Sequence, residues 1–176
     1  GDLAAAEPLH REALEGRRKT LGALHPQTLR SINNLGTLLL DKGDLAAAEP
    51  LLREALEVRR ATLGDRHADT LTSISNLVLL LKVKGDLAGT ELLVREALEG
   101  RRETLGNRHP ETLTSIHSLG TLLHDKGDLA TAEPLSREVV EGRRETLGDR
   151  HSETLISIHS LGALLHDKGD LAAAES

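Results

Sequence analysis

The 176-residue chain contains no cysteine and no phenylalanine, tyrosine or tryptophan. Without cysteine there is no disulfide, thiolate metal ligand or thiol nucleophile, and the mark of a small secreted scaffold is missing, so a cytoplasmic location is expected. Without aromatics, leucine and alanine must fill the core, which makes it thinner and less strongly specified, and no sheet is expected. No run of about 18 apolar residues occurs, and the N-terminal stretch lacks the basic and apolar regions of a signal peptide. That argues against a membrane. The net charge is −6, with no basic excess of the kind a nucleic-acid surface needs. Neither a G-x-x-x-x-G-K phosphate loop nor a G-x-S-x-G elbow is present, and serine, histidine and acids fall on regular, repeated elements. The chain reads as a non-enzyme that needs no cofactor.

Repetition is what the chain does have. Gly-Asp-Leu begins at Gly1, Gly43, Gly85, Gly127 and Gly169, and the Leu-Gly pair just before each loop begins at Leu21, Leu63, Leu105 and Leu147, a period of 42 residues. Such self-similarity means stacked units, each covering its neighbour's apolar face. Six heptads also make 42, but two helix-ending glycines per period interrupt any coiled-coil seam.

Residues 67–105 show how one unit folds. Leu71, Ile74, Leu77 and Leu81 share one side of a helix, helix A, spanning roughly residues 68–83. Gly85 can take the left-handed conformation that stops it, and the Asp86 carboxylate can cap helix B, residues 87–105. Gly106 is expected to end helix B in the same manner. Pro110 suits the first position of the next helix A. His25, His67, His109 and His151 recur at the loop to helix A junction, where an imidazole can bond a free backbone N–H. Pro8, Pro50 and Pro134 lie inside helix B and are expected to bend it. Glu7 with Arg11, Glu49 with Arg53, Glu91 with Arg95 and Glu133 with Arg137 are spaced as helical ion pairs, and read as a solvated face.

Ile32-x-x-Leu35-Gly36-x-x-Leu39, followed by Ala48-x-x-x-Leu52-x-x-Ala55, resembles the tetratricopeptide signature, with Ile and Leu where Trp and Tyr are usual. The longer period, the Arg-Arg-x-Thr-Leu-Gly ending of helix B and the following His-Pro are similar to the 42-residue variant found in kinesin light chains. Pro26 and Pro110 keep the His-Pro, while Ala68 and Ser152 replace it. Val78, Thr90 and Val139 depart from the small residues usual at their places, which puts local packing in question. The resemblance implies an all-α, right-handed solenoid of antiparallel helix pairs. It would form a single array over 1–176: partial repeat 1–25, repeats 26–67, 68–109 and 110–151, and partial repeat 152–176. The stub after Gly169 is too short to hold a helix alone, so it should fray unless the chain continues.

Comparing repeats within the chain separates fixed from variable positions. Those equivalent to Ile32, Leu35 and Leu39 never change and belong to the core. Arg30 becomes Thr72, Thr114 and Ile156; Asn33 becomes Ser75, His117 and His159; Thr37 becomes Leu79, Thr121 and Ala163; Leu40 becomes Lys82, His124 and His166. Spacings of three, four and three put them in one stripe opposite the core. The resemblance implies that this stripe lines a concave surface for extended peptides, and that Asn34 and Asn76, replaced by Ser118 and Ser160 later, hold the ligand backbone. An unselected, drifting solvent face explains the same variation equally well. Arg30, Lys82 and the histidines offer donors, which suits a partner segment with some acidic residues.

His117 with His124, and His159 with His166, are seven apart, about 10 Å along a helix, too far for one zinc ion. No metal site is expected; a response to pH is slightly favoured over one, and solvated polar residues without a special role are the best reading of the cluster. The expected function is therefore a scaffold that binds protein or peptide partners. The alternative is an architectural or regulatory array attached to an effector domain, such as a signalling NTPase, outside this segment. Uncovered apolar helix faces at the two ends would favour end-to-end self-association.

Overall fold

The computed structural model describes residues 2–169. Among them are eight helices and no strand, with 84% of residues helical. They are α1 (Leu3–Leu21), α2 (Pro26–Asp41), α3 (Leu45–Leu63), α4 (Ala68–Lys84), α5 (Leu87–Leu105), α6 (Pro110–Asp125), α7 (Leu129–Leu147) and α8 (Ser152–Asp167). Odd-numbered helices are helix B and even-numbered ones helix A. The chain forms two compact units, Gly1–Leu93 and Val94–Ser176. In the first, α2 packs against α1 and α3, α3 against α4, and α2 lightly against α4; in the second, α7 packs against α6 and α8, and α6 lightly against α8. The stub expected after Gly169 lies outside the described residues.

Local chemistry sets each helix start. Asp2, Asp44, Asp86 and Asp128 accept from the amides of Ala5, Ala47, Gly89 and Thr131 at 2.9–3.2 Å. At every helix A the cap is an imidazole: Nδ1 of His25, His67, His109 and His151 accepts from the amide two residues on at 3.1–3.2 Å. The recurrent histidine thus satisfies one of the unpaired N–H groups of the first turn.

The two glycines of a repeat end their helices differently, contrary to expectation. Gly85 is left-handed, φ 75° and ψ 14°. Gly64 has φ 86° but ψ 165°, a region open essentially to glycine alone. That ψ aims the Gly64 carbonyl at the next helix, where Thr70 Oγ1 donates to it at 2.8 Å; Thr28 does the same to Gly22. Gly106, where the left-handed form was expected, shares the positive φ, at 82°. The helices run unbroken past Pro8, Pro50 and Pro134.

Ile32, Ile74 and Ile116 are fully buried, as are Ala48, Leu52 and Ala55 from helix B. The three irregular positions are absorbed: Val78, Thr90 and Val139 are all buried, and Thr90 Oγ1 donates to Asp86 O at 2.6 Å. Three of the four glutamate pairs do more than face solvent. The side chains of Glu7, Glu49 and Glu133 are only 20–22% exposed, and each is shared between the arginine of its own helix and a lysine at the end of the next helix A, Lys42, Lys84 or Lys168. Each carboxyl is held below its ordinary range, first by the lysine bond and then by the arginine. The pairs stitch helices together because helix B lies alongside that lysine. No helix among the described residues is long and apolar enough to cross a membrane.

Candidate functional site

Each unit carries a hollow on its helix A side, and the variable stripe lines both. In the first unit the hollow measures about 460 Å³, lined by Arg30, Asn33 and Asn34 of α2, Arg59 of α3, Thr72 of α4, and Pro26, Gln27 and Asp69 at the helix starts. In the second it is smaller, about 150 Å³, between α6 and α8 with α7 beneath.

Arg59 is the chemical centre of the first hollow. It is 5% exposed. Its Nη1 donates to Asp69 O at 3.0 Å and to Ser73 Oγ at 2.7 Å. The other guanidinium N–H groups meet no protein acceptor, and the Asp69 carboxylate stays beyond ion-pair reach. Burial pushes the Arg59 pKa down and the nearby Asp69 charge partly offsets that, but arginine remains charged at any physiological pH. Arg30 and Asn34 are exposed at the rim. The Asn34 side chain makes no hydrogen bond within the protein.

Equivalent arginines recur with different partners. Arg17 bonds Ser31, Arg101 bonds Ser115 at 2.7 Å and Arg143 bonds Ser157 at 2.7 Å. In the second unit an acid takes up a further donor: Glu111 Oε2 lies 3.2 Å from Arg101 Nε, and Glu153 Oε2 lies 2.8 Å from Arg143 Nη2. Burial lowers the Arg143 pKa while the Glu153 charge opposes it. Sequence reasoning missed this series, although a charged residue and a serine 14 positions on that never vary between repeats were a readable signal.

The stripe does not face solvent throughout. Arg30, Thr72, Leu79, Lys82, Thr114, Ile156, His159, Ala163 and His166 are exposed, whereas Thr37, Ser75, His117, Thr121 and His124 are half-buried, as are the flanking Asn76, Ser118 and Ser160. Asn33 is buried at 7% exposure, because Asn76 of α4 lies over it and donates from Nδ2 to its Oδ1 at 3.1 Å. A stripe that points away from its own repeat's core still meets the next helix A. For the same reason His124 Nε2 bonds Asp167 Oδ2 at 2.8 Å, the first cause of the depressed Asp167 pKa, with His166 the second. Thr72, Ser75, Thr114, Thr121 and Ser160 donate their hydroxyls to carbonyls four residues back in their own helices. Among the described residues no group of three or more histidine, aspartate and glutamate side chains could hold a metal ion.

Family models described as tetratricopeptide repeat match residues 1–61 and 31–88, and a second set matches 70–111 and 112–153. The chain belongs to the tetratricopeptide repeat family. Similar solved structures include a Podosopora anserina protein described as a kinesin light chain with nearly identical TPR-like repeats, 26% identical over 99% of this chain and 83% of that one, TM-score 0.86. A second structure of that protein, carrying a single substitution, gives 26% identity, 99% and 82% coverage and a TM-score of 0.87. BtubC (BKLC) from P. vanneervenii, 23% identical, shares the fold over 99% of this chain and 70% of that one, TM-score 0.89. No curated protein matches the chain. The fold is an all-α tetratricopeptide solenoid related to kinesin light chain repeats, and such repeats generally serve as scaffolds for protein–protein interaction.

Proposed function

We propose that this tetratricopeptide chain is an interaction scaffold whose first unit binds an extended protein segment through an acidic side chain. One observation carries the reading: Arg59, almost wholly buried at the floor of a 460 Å³ hollow, keeps guanidinium N–H groups that no protein atom accepts from. A carboxylate entering the hollow meets a desolvated guanidinium there, with Arg30 at the rim as a second cation. Asn34, exposed and without an internal partner, supplies the donor and acceptor an extended backbone needs. A hydrogen bond to a charged group is worth about 1.5–3 kcal/mol, or roughly 10- to 100-fold in affinity.

Fluorescence anisotropy with labelled extended peptides that differ only by Glu in place of Gln tests this directly. Preference for the acidic member by about tenfold, weakened by Arg30→Ala and by added salt, is the expected result. Equal binding of the two peptides, or an acidic preference that Arg30→Ala leaves intact together with Arg59→Lys, refutes it.

A further inference from the structure

The hollow of the second unit owes its existence to two substitutions. In α3 Leu52 is fully buried and lies so close to Gly36 that a Cβ there would come within 2.8 Å of it. The equivalent of Leu52 in α7 is Ser136, and a Cβ on Gly120 would meet nothing nearer than its Oγ, at 3.3 Å. Across the hollow, Ala163 of α8 stands at the place of Leu79 in α4. Where the first unit has two leucines, the second has a serine and an alanine.

The lining has a defined hydrogen-bonding character. The Ser136 hydroxyl makes no hydrogen bond within the protein, so it is a free donor at the floor. Thr121 and Ser160, both lining the hollow, spend their protons on His117 O and Ile156 O, both at 3.0 Å, which leaves their oxygens as acceptors. His124 is committed through Nε2 to Asp167, and His159 stands at the rim without a partner. No lysine, arginine or carboxylate lines the hollow. Lys168 is bound to Glu133, and the Asp167 carboxylate is occupied by His124 and His166. An anion therefore finds no cation while the imidazoles are neutral, and a cation finds no carboxylate.

We propose that this hollow is a subsite for an uncharged primary amide, the side-chain group of asparagine or glutamine. The amide carbonyl accepts from the Ser136 hydroxyl while the amide N–H groups donate to Thr121 and Ser160. The subsite lies in a different unit from the acidic subsite and adds to the scaffold reading rather than resting on it.

Small probes test the subsite without any partner peptide. The full chain is titrated at about pH 8, above the range in which imidazole titrates, with acetamide, sodium acetate and guanidinium chloride in turn, following backbone amide resonances. Acetamide is expected to give saturable shifts centred on Gly120, Ser136 and Ser160, with acetate and guanidinium giving none there. Ser136→Leu and Ser136→Val, the residues at Leu52 and Val94 of the sister helices, should weaken acetamide binding by about tenfold or more. Two such variants guard against one failing to fold, which the helical circular dichroism reports. Saturation by acetate or guanidinium instead, no response of Gly120 and Ser160 to acetamide, or an acetamide response unchanged in both folded variants overturns the proposal.

Discussion

Arg143 and Arg144 are adjacent in α7 and should differ greatly when replaced. Arg143 is 4% exposed and gives three bonds, from Nη1 to Glu153 O at 3.0 Å and Ser157 Oγ at 2.7 Å, and from Nη2 to Glu153 Oε2 at 2.8 Å. The Arg144 side chain is 54% exposed, with one contact of 3.2 Å to Asp149, itself 80% exposed. Arg143→Met keeps most of the apolar stem and removes all three bonds. Bonds from a charged donor are worth about 1.5–3 kcal/mol each. Two share one nitrogen and the third reaches a carboxylate that is 48% exposed and can rehydrate. The total is therefore well short of the sum, about 3 kcal/mol. Arg144→Met removes an exposed pair worth about 0–1 kcal/mol. Repeat arrays open locally, so a single melting midpoint would blur the difference. Native-state hydrogen exchange at the buried Leu164 and Leu165 of α8 reads it at the helix Arg143 holds. Arg143→Met should speed exchange there by about 100-fold, and Arg144→Met by about fivefold or less. Equal acceleration by the two would show that the buried arginine series does not hold α8 to α7.

Three further outcomes follow from the same geometry. His109→Ala removes the cap on Glu111 N and should cost about 1 kcal/mol, while His109→Asn, a good N-cap, should recover most of it, as read by urea denaturation. Glu7, Glu49 and Glu133 have depressed carboxyl pKa values, so the stability they contribute is fully present above about pH 4.5 and is lost as pH falls below it; Gln at all three should flatten the fall in melting temperature between about pH 5 and 3. Gly64→Ala forces a side chain into φ 86°, ψ 165° and should cost about 1–3 kcal/mol, whereas Gly16→Ala, inside α1 with open space around it, should gain about 0.5–1 kcal/mol by thermal melting.

The fold was legible because its signals are local and recur. Gly85 and Asp86 mark where helix A stops and helix B starts, and α5 runs over the expected residues 87–105, while α4 reaches Lys84, one residue past its expected end. The His67 cap could be read from position alone. What one repeat cannot show is what its neighbour covers. Asn33 counted as solvent-facing because its own repeat leaves it bare, yet α4 buries it, and Glu49 looked like half of an exposed helical pair until Lys84 came alongside. The arginine series was hidden for a different reason: a charged side chain is assumed to be outside unless its partners are known, and the one partner common to all four arginines, a serine, leaves no charge pattern in the sequence.

Whether a buried arginine remains open to a ligand comes down to one methylene. The residue facing each arginine is Gln27, Asp69, Glu111 or Glu153 along the chain. Glu153 is long enough to reach back to Arg143 at 2.8 Å, and Glu111 to reach Arg101 at 3.2 Å. Asp69 is too short and leaves Arg59 with donors to spare. Asp69→Glu should therefore close the first hollow electrostatically, drawing a carboxylate onto Arg59 where a ligand's acid would sit. Loss of one charge-assisted bond predicts about tenfold weaker binding of the Glu-containing peptide, with the Gln-containing peptide unaffected. A purely steric effect would weaken both peptides alike. If Asp69→Glu binds the acidic peptide as tightly as the parent chain, Arg59 is not the group that meets it.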